Sequence, residues 1–225
     1  MTGFGPLDLL GLYANGVFPM ADSRDSDDVF IVDPDERGVF ALDGLKISKS
    51  LAKTVRSRRF EIRINSAFVD VVAACAAPRA KEAGTWINGN IEYLYAQLHD
   101  LGRAHSVECW QADKLVGGLY GVHLGAAFFG ESMFSQKTNA SKVALVHLVG
   151  RLNAGGFSLL DTQFITPHLR TLGAVEISRA EYHERLETAL ALVGTFEPYG
   201  FSDPKFAISV WTSGSGVMQS STQIS

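Results

Sequence analysis

Between residues 106 and 134 the apolar side chains stop recurring every three or four positions and recur at every second one, in three successive runs. Residues 106–111 and 114–123 are separated only by Ala112 and Asp113, a spacing that makes them adjacent antiparallel strands around a tight turn. Residues 126–134 form the third run. Helical spacing then returns over 140–153, where Val143, Val146, Leu148, Val149 and Leu152 are apolar and Gly155-Gly156 supplies a stop. A short apolar run at 157–164 reads as a buried strand, and 179–193 reads as a last helix. Strands that alternate and helices with one apolar stripe must cover each other in layers, so the chain is expected to adopt an α+β fold.

Upstream, Leu9, Leu10, Leu12 and Tyr13 mark a short helix closed near Gly16, and Ser48 caps a helix running to about Arg58. Residues 60–64 alternate as a strand. Phe68, Val71, Val72 and Cys75 fall on one helix face, with Pro78 as its stop. Ile91, Leu94, Tyr95, Leu98 and Leu101 repeat the same spacing up to Gly102. The last residues, 213–225, are rich in serine, glycine and threonine and are expected to be disordered.

Charge is unevenly placed. Seven acids lie between Asp22 and Arg37, while Lys46, Lys49, Lys53, Arg56, Arg58, Arg59 and Arg63 face a single acid, Glu61, over the next basic stretch. Such a block either attracts a polyanion through its phosphates or is a solvated helix face. The most apolar stretch, 115–129, carries four glycines and a histidine, short of the ~20 apolar residues that span a bilayer. No basic residue precedes an apolar run at the N-terminus, so no membrane association and a cytoplasmic location are expected.

Chemistry is constrained by which motifs occur. The six histidines include no H-x-x-x-H pair, and Cys75 and Cys109 stand apart in apolar segments, so no metal is expected and both thiols read as core residues. Nucleophile elbow, P-loop and dinucleotide-binding patterns do not occur, which leaves no expected cofactor and no internal nucleophile. A transferase with an already activated acyl donor needs neither, because amine attack then requires mainly positioning and charge stabilisation.

Two polar features interrupt apolar strands. Alternation puts Glu131 on one strand face with Phe129 and Met133, unless a bulge at Gly130 shifts the register. A carboxylate there either finds donors within the protein or accepts from a cationic or amino ligand. Asp161 and Gln163, two apart on one strand, share a face. They either orient an amine together or make ordinary capping and strand-edge bonds.

Seven motifs occur in order: Gly16-Val17-Phe18-Pro19-Met20, Gly84-Thr85-Trp86-Ile87, Ala104-His105-Ser106-Val107-Glu108, the run at 115–122, Phe129-Gly130-Glu131-Ser132-Met133-Phe134-Ser135, Asn139-Ala140-Ser141-Lys142 and Asp161-Thr162-Gln163. In this order the chain resembles the leucyl/phenylalanyl-tRNA-protein transferases. The resemblance implies a small N-terminal domain, residues 1–62, followed by an acetyltransferase-like (GNAT-related) domain over 63–212. It also implies transfer of leucine or phenylalanine from aminoacyl-tRNA to proteins with N-terminal Arg or Lys, marking them for degradation. On matching positions it implies that Asp161 and Gln163 are the catalytic pair and that Glu131 lies near the acceptor amine. Trp86 would contact the aminoacyl-adenosine end or the peptide, and Leu119, Phe128, Leu145 and Leu160 would line the donor side-chain pocket. Lys46, Lys49, Lys53, Arg56, Arg58 and Arg59 gain tRNA as a partner. Ile31 and Val32 stand where relatives often carry tryptophans.

Overall fold

A computed structural model describes residues 4–26, 28–78 and 85–197. The serine-rich tail, the end of the expected second domain and Gly84 lie outside the described residues.

In chain order the elements are α1 (Pro6–Ala14), β1 (Phe18–Ala21), β2 (Val29–Val32), β3 (Glu36–Phe40), α2 (Lys49–Arg56), β4 (Glu61–Ile64), α3 (Phe68–Ala76) and α4 (Gly89–Asp100). There follow β5 (Ala104–Gln111), β6 (Lys114–Leu124), β7 (Ala127–Ser135), α5 (Ala140–Ala154), β8 (Leu159–Gln163), α6 (Pro167–Thr171), β9 (Val175–Ser178) and α7 (Arg179–Leu190). Local chemistry accounts for many of the ends. Ser48 Oγ accepts from the Leu51 N–H at 3.2 Å and Asn88 Oδ1 from the Ile91 N–H at 2.9 Å, each satisfying a first-turn donor. Ala112 and Asp113 have φ of 49° and 55°, the paired left-handed conformation that matches a two-residue hairpin to strand twist.

Seven strands form one sheet in the order β4-β5-β6-β7-β8-β3-β9, the α+β arrangement expected. All neighbours are antiparallel except β7 and β8. A parallel pair needs a crossover, and α5 supplies it. One sheet face packs Phe129, Tyr120 and Val122 against α1, α3, α4 and α7, through Tyr13, Val71, Tyr95 and Leu186. The other packs Leu119, Phe128 and Leu160 against α5 and α2, through Val143, Leu148 and Leu51. The first 62 residues share this sheet, because β3 lies between β8 and β9, and the expected boundary at 62 falls inside β4. Short β1 and β2 pair only with each other among the described residues.

Strand β7 departs from simple alternation. Tyr120 pairs with Ser132 and Gly121 with Gly130, which leaves Glu131 as the extra residue of a bulge. The register shift sends Met133 to the α5 face, whereas Phe129 and Phe134 belong to the opposite core. Of the two expected arrangements, simple alternation grouping Glu131 with Met133 gives way to the alternative, a bulge beside Gly130 that shifts the register. Gly121 is required here, since a Cβ would run into the Phe129 carbonyl and the Phe128 ring.

Candidate active site

Strands β7 and β8 pair at Ala127–Leu159, Phe128–Leu160 and Phe129–Asp161, and β7 then continues to Ser135 without β8 alongside. A cleft of about 1390 Å³ opens where they diverge, walled by β7 residues 130–135 on one side and by the chain from Thr162 to Leu169 on the other. Trp86, Leu119, Leu145, Leu160, Glu131 and Gln163 all line it. The split sheet thus brings an apolar wall and two polar groups to one space, although they are distant in sequence.

Two of the expected catalytic and substrate-binding residues sit elsewhere. Phe128 is fully buried behind the wall, its ring against Phe157 and Phe196 at centroid separations of 6.4 and 5.5 Å. Asp161 is also fully buried. Its Oδ1 accepts from Arg37 Nε at 2.9 Å and from the Gln163 N–H at 2.8 Å, and its Oδ2 accepts from Arg37 Nη2 at 2.7 Å and Tyr182 Oη at 2.9 Å. Four donors occupy the carboxylate, so it acts on the cleft only through what it holds.

Arg37 is the principal functional-region residue that sequence reasoning missed. Besides Asp161 it donates from Nη1 to the Gly16 carbonyl at 2.9 Å, and its guanidinium lies 4.5 Å from the Phe18 ring centre and 4.4 Å from that of Tyr182. Gly16 sits at φ 77° beside the His183 ring, where any side chain would collide. Arg37 therefore knits α1, β1, β8 and α7 together behind the cleft.

Gln163 ends β8 with φ 54°, a left-handed backbone held by its N–H bond to Asp161. Its Nε2 donates to Glu131 Oε1 at 3.3 Å. Glu131 Oε1 also accepts from Tyr13 Oη at 2.8 Å and Oε2 from Tyr95 Oη at 2.7 Å, while the two phenol oxygens are 2.6 Å apart. Burial pushes the Glu131 carboxyl up to about 7; the phenols and Arg37 pull it down, and Asp161 adds to the rise. Burial and the neighbouring Glu131 raise Tyr13 and Tyr95 well above the ordinary phenol range, so both stay neutral donors.

Lys46, Lys49, Lys53, Arg56, Arg58 and Arg59 are all exposed, on and around α2. They stand outside the cleft lining. Helix α2 nevertheless abuts the start of α5, with Asn139 Nδ2 3.4 Å from Thr54 Oγ1, and Ser141 of α5 lines the cleft. Arg63, from the same basic stretch, is consumed internally by Glu61 and Asp113 at 2.7 and 3.1 Å and lies over Trp110.

Cys75 and Cys109 are buried core residues as expected, and burial pushes the Cys109 thiol up to about 12. Among the described residues no group of three or more His, Cys, Asp or Glu is placed to hold a metal, and no helix is long and apolar enough to cross a membrane.

Comparison with known proteins bears directly on this cleft. The family model described as leucyl/phenylalanyl-tRNA protein transferase matches residues 39–187. The chain is 59% identical over 204 residues to the leucyl/phenylalanyl-tRNA–protein transferase of Phenylobacterium zucineum (strain HLK1), covering 91% of this chain and 92% of that protein. It is 58% identical over 196 residues to the protein of the same name from Maricaulis maris (strain MCS10), covering 87% and 91%. The Rhodospirillum rubrum protein of that name is 57% identical over 196 residues, covering 87% and 92%. The matched segment includes Glu131, Asp161 and Gln163 and starts just after Arg37.

Proposed function

Because this chain belongs to the leucyl/phenylalanyl-tRNA protein transferase family of aminoacyltransferases, we propose that it moves leucine or phenylalanine, with methionine as a further candidate, from aminoacyl-tRNA to protein N-termini. The acceptors in this reading begin with Arg or Lys, and the product is a degradation signal read from the new N-terminal residue in the cytoplasm. The observation that carries it is the meeting of an apolar wall with the Glu131–Gln163 pair in one cleft.

Leu119, Leu145 and Leu160 present a surface suited to an aliphatic or aromatic donor side chain. Apolar pockets separate ligands by only ~1–3 kcal/mol per methylene-sized difference, which is compatible with accepting both leucine and phenylalanine. Trp86, at the cleft wall, suits stacking on the terminal adenine. The six exposed bases around α2 suit contacts to the tRNA backbone. With Gln163 Nε2 turned to Glu131, Oε1 is the atom left to accept from an incoming α-amine and aim its lone pair at the ester carbonyl. Asp161 supports this from behind through the Gln163 N–H, and Glu131 attracts the cationic amine. The kinship with acetyltransferase-like folds is supported by the β5-β6-β7 meander followed by α5 and the parallel, diverging β8.

The test is transfer itself. The purified chain is incubated with charged leucyl- or phenylalanyl-tRNA and peptides that begin with Arg, Lys or Ala, and products are weighed by mass spectrometry. One added leucine or phenylalanine residue on the Arg and Lys peptides alone is expected. Binding of the Arg peptide without extension would make the protein an adaptor, and equal extension of the Ala peptide would overturn the acceptor assignment.

A further inference from the structure

The two carboxylates closest to the proposed reacting amine are in opposite situations. Asp161 is filled by four donors, paired with Arg37 and absent from the cleft wall. Glu131 lines the cleft and, among the described residues, accepts hydrogen bonds from neutral donors, two phenols and one amide. Three oxygen pairs close a ring there, Tyr13–Tyr95 at 2.6 Å, Tyr13–Glu131 at 2.8 Å and Tyr95–Glu131 at 2.7 Å. Each pair at such a separation needs one proton between its oxygens. Two phenols bring two protons, so with Glu131 ionised the ring is one proton short. A third proton on the carboxyl completes it.

We propose that Glu131 takes the proton released by the acceptor's α-ammonium, with Tyr13 and Tyr95 as positioning residues whose ring that proton completes; this rests on the transfer reading above. The ammonium nitrogen carries three protons: one passes to Glu131, one leaves on the ribose hydroxyl as the ester C–O bond breaks, and one stays on the amide as the C–N bond forms. Glu131 then returns its proton to solvent. Gln163 lies 3.3 Å from Glu131, so an amine held at the Gln163 amide is within reach of the carboxylate.

The charged and titratable groups around Glu131 agree with this role. Tyr13 from α1, Tyr95 from α4, Tyr120 from β6 and Tyr182 from α7 are all raised and stay neutral, while Arg37 from β3 is committed to Asp161 from β8. A base serves best when its pKa lies near the working pH, and burial brings this carboxyl to about 7.

The test uses the full chain with charged tRNA and an Arg-starting peptide in single-turnover experiments from pH 5.5 to 8.5. Alongside, glutamate Cδ is labelled with ¹³C, and the Glu131 signal is assigned by its loss in E131Q. The wild-type carboxyl is expected to titrate near 7, and E131Q to transfer on the order of 100-fold more slowly at neutral pH. The double variant Y13F/Y95F strips both phenol donors from the carboxylate. Donation by the phenols to the ionised carboxylate outweighs the ring's hold on the third proton, so without them the signal should titrate roughly one unit higher or more, with the rate profile moving the same way; the peptide amine titrates alike in every variant. Should Y13F/Y95F fail to fold, wild type and E131Q still decide. A Glu131 midpoint at or below about 5, an unshifted profile in the double variant, or wild-type transfer by E131Q would overturn the proposal. A wild type that forms no product would instead overturn the transfer reading, and this inference with it.

Discussion

Arg37 and Asp161, 124 positions apart, meet through two parallel hydrogen bonds of 2.9 and 2.7 Å where neither side chain reaches solvent. Taking both charges from water is costly, and their attraction offsets that cost only when the remaining donors and acceptors are also satisfied. Here they are met by the Gly16 carbonyl, the Tyr182 hydroxyl and the Gln163 N–H. The pair therefore links the packing of α1 and α7 to the backbone of a cleft residue.

Removing one partner strands the other as a buried charge. Arg37→Met is expected to cost about 3–5 kcal/mol in urea unfolding. Arg37→Lys should recover only part, because an ammonium cannot reproduce the planar two-bond fork. An unchanged unfolding midpoint in Arg37→Met would show that the pair contributes nothing beyond its own desolvation.

Gln163 separates side-chain chemistry from backbone strain. At φ 54° an alanine is itself mildly unfavourable, whereas glycine adopts this conformation readily. Gln163→Gly is thus expected to stay within about 1 kcal/mol of wild-type stability while losing roughly tenfold or more in single-turnover transfer, the consequence of a misplaced reactant. Wild-type transfer by a folded Gln163→Gly would remove Gln163 from the mechanism.

Much of this architecture is legible in the sequence where one local rule decides. Period-two runs with a two-residue spacer become β5, β6 and β7, and Ser48, Gly102 and Gly155 stand at the helix ends expected of them. Glu131 and Gln163 are legible because polar groups interrupt apolar strands. Arg37 is not, since it sits at the end of an acidic run and its partner is 124 residues away. Tyr13 and Tyr95 fit the apolar stripes of their helices, and periodicity places a ring on a face without saying where its hydroxyl points. The bulge beside Gly130 is an open alternative in the sequence, and the pairing of β6 with β7 decides it.

Protonation of Glu131 should also appear in stability. Its folded pKa of about 7 exceeds the ordinary 4.5, so between these values the folded protein keeps a proton that the unfolded chain has released. The associated stability is present below about 4.5 and is lost as pH rises through about 7. Glu131→Gln cannot ionise. Its stability relative to wild type is expected to improve by roughly 2–3 kcal/mol from pH 5 to pH 8, read from urea curves at both values. Parallel pH dependence in the two proteins would show that Glu131 ionises at its ordinary pKa.

Basic residues around α2 can be tested by salt. Each phosphate neutralised on binding adds about −0.7 to −0.9 to the slope of log affinity against log salt. The triple variant Lys49→Gln/Lys53→Gln/Arg56→Gln should therefore bind tRNA more weakly and flatten that slope by about 2–3, measured by filter binding across a salt series. Arg63 is the internal control: it comes from the same stretch of sequence but is held by Glu61 and Asp113, so Arg63→Gln should leave the slope unchanged. The KM for the acceptor peptide should stay near wild type in the triple variant, because the exposed face of α2 stands outside the cleft lining. An equal fall in slope for Arg63→Gln would mean that net charge, and not the face presented by α2, governs tRNA binding.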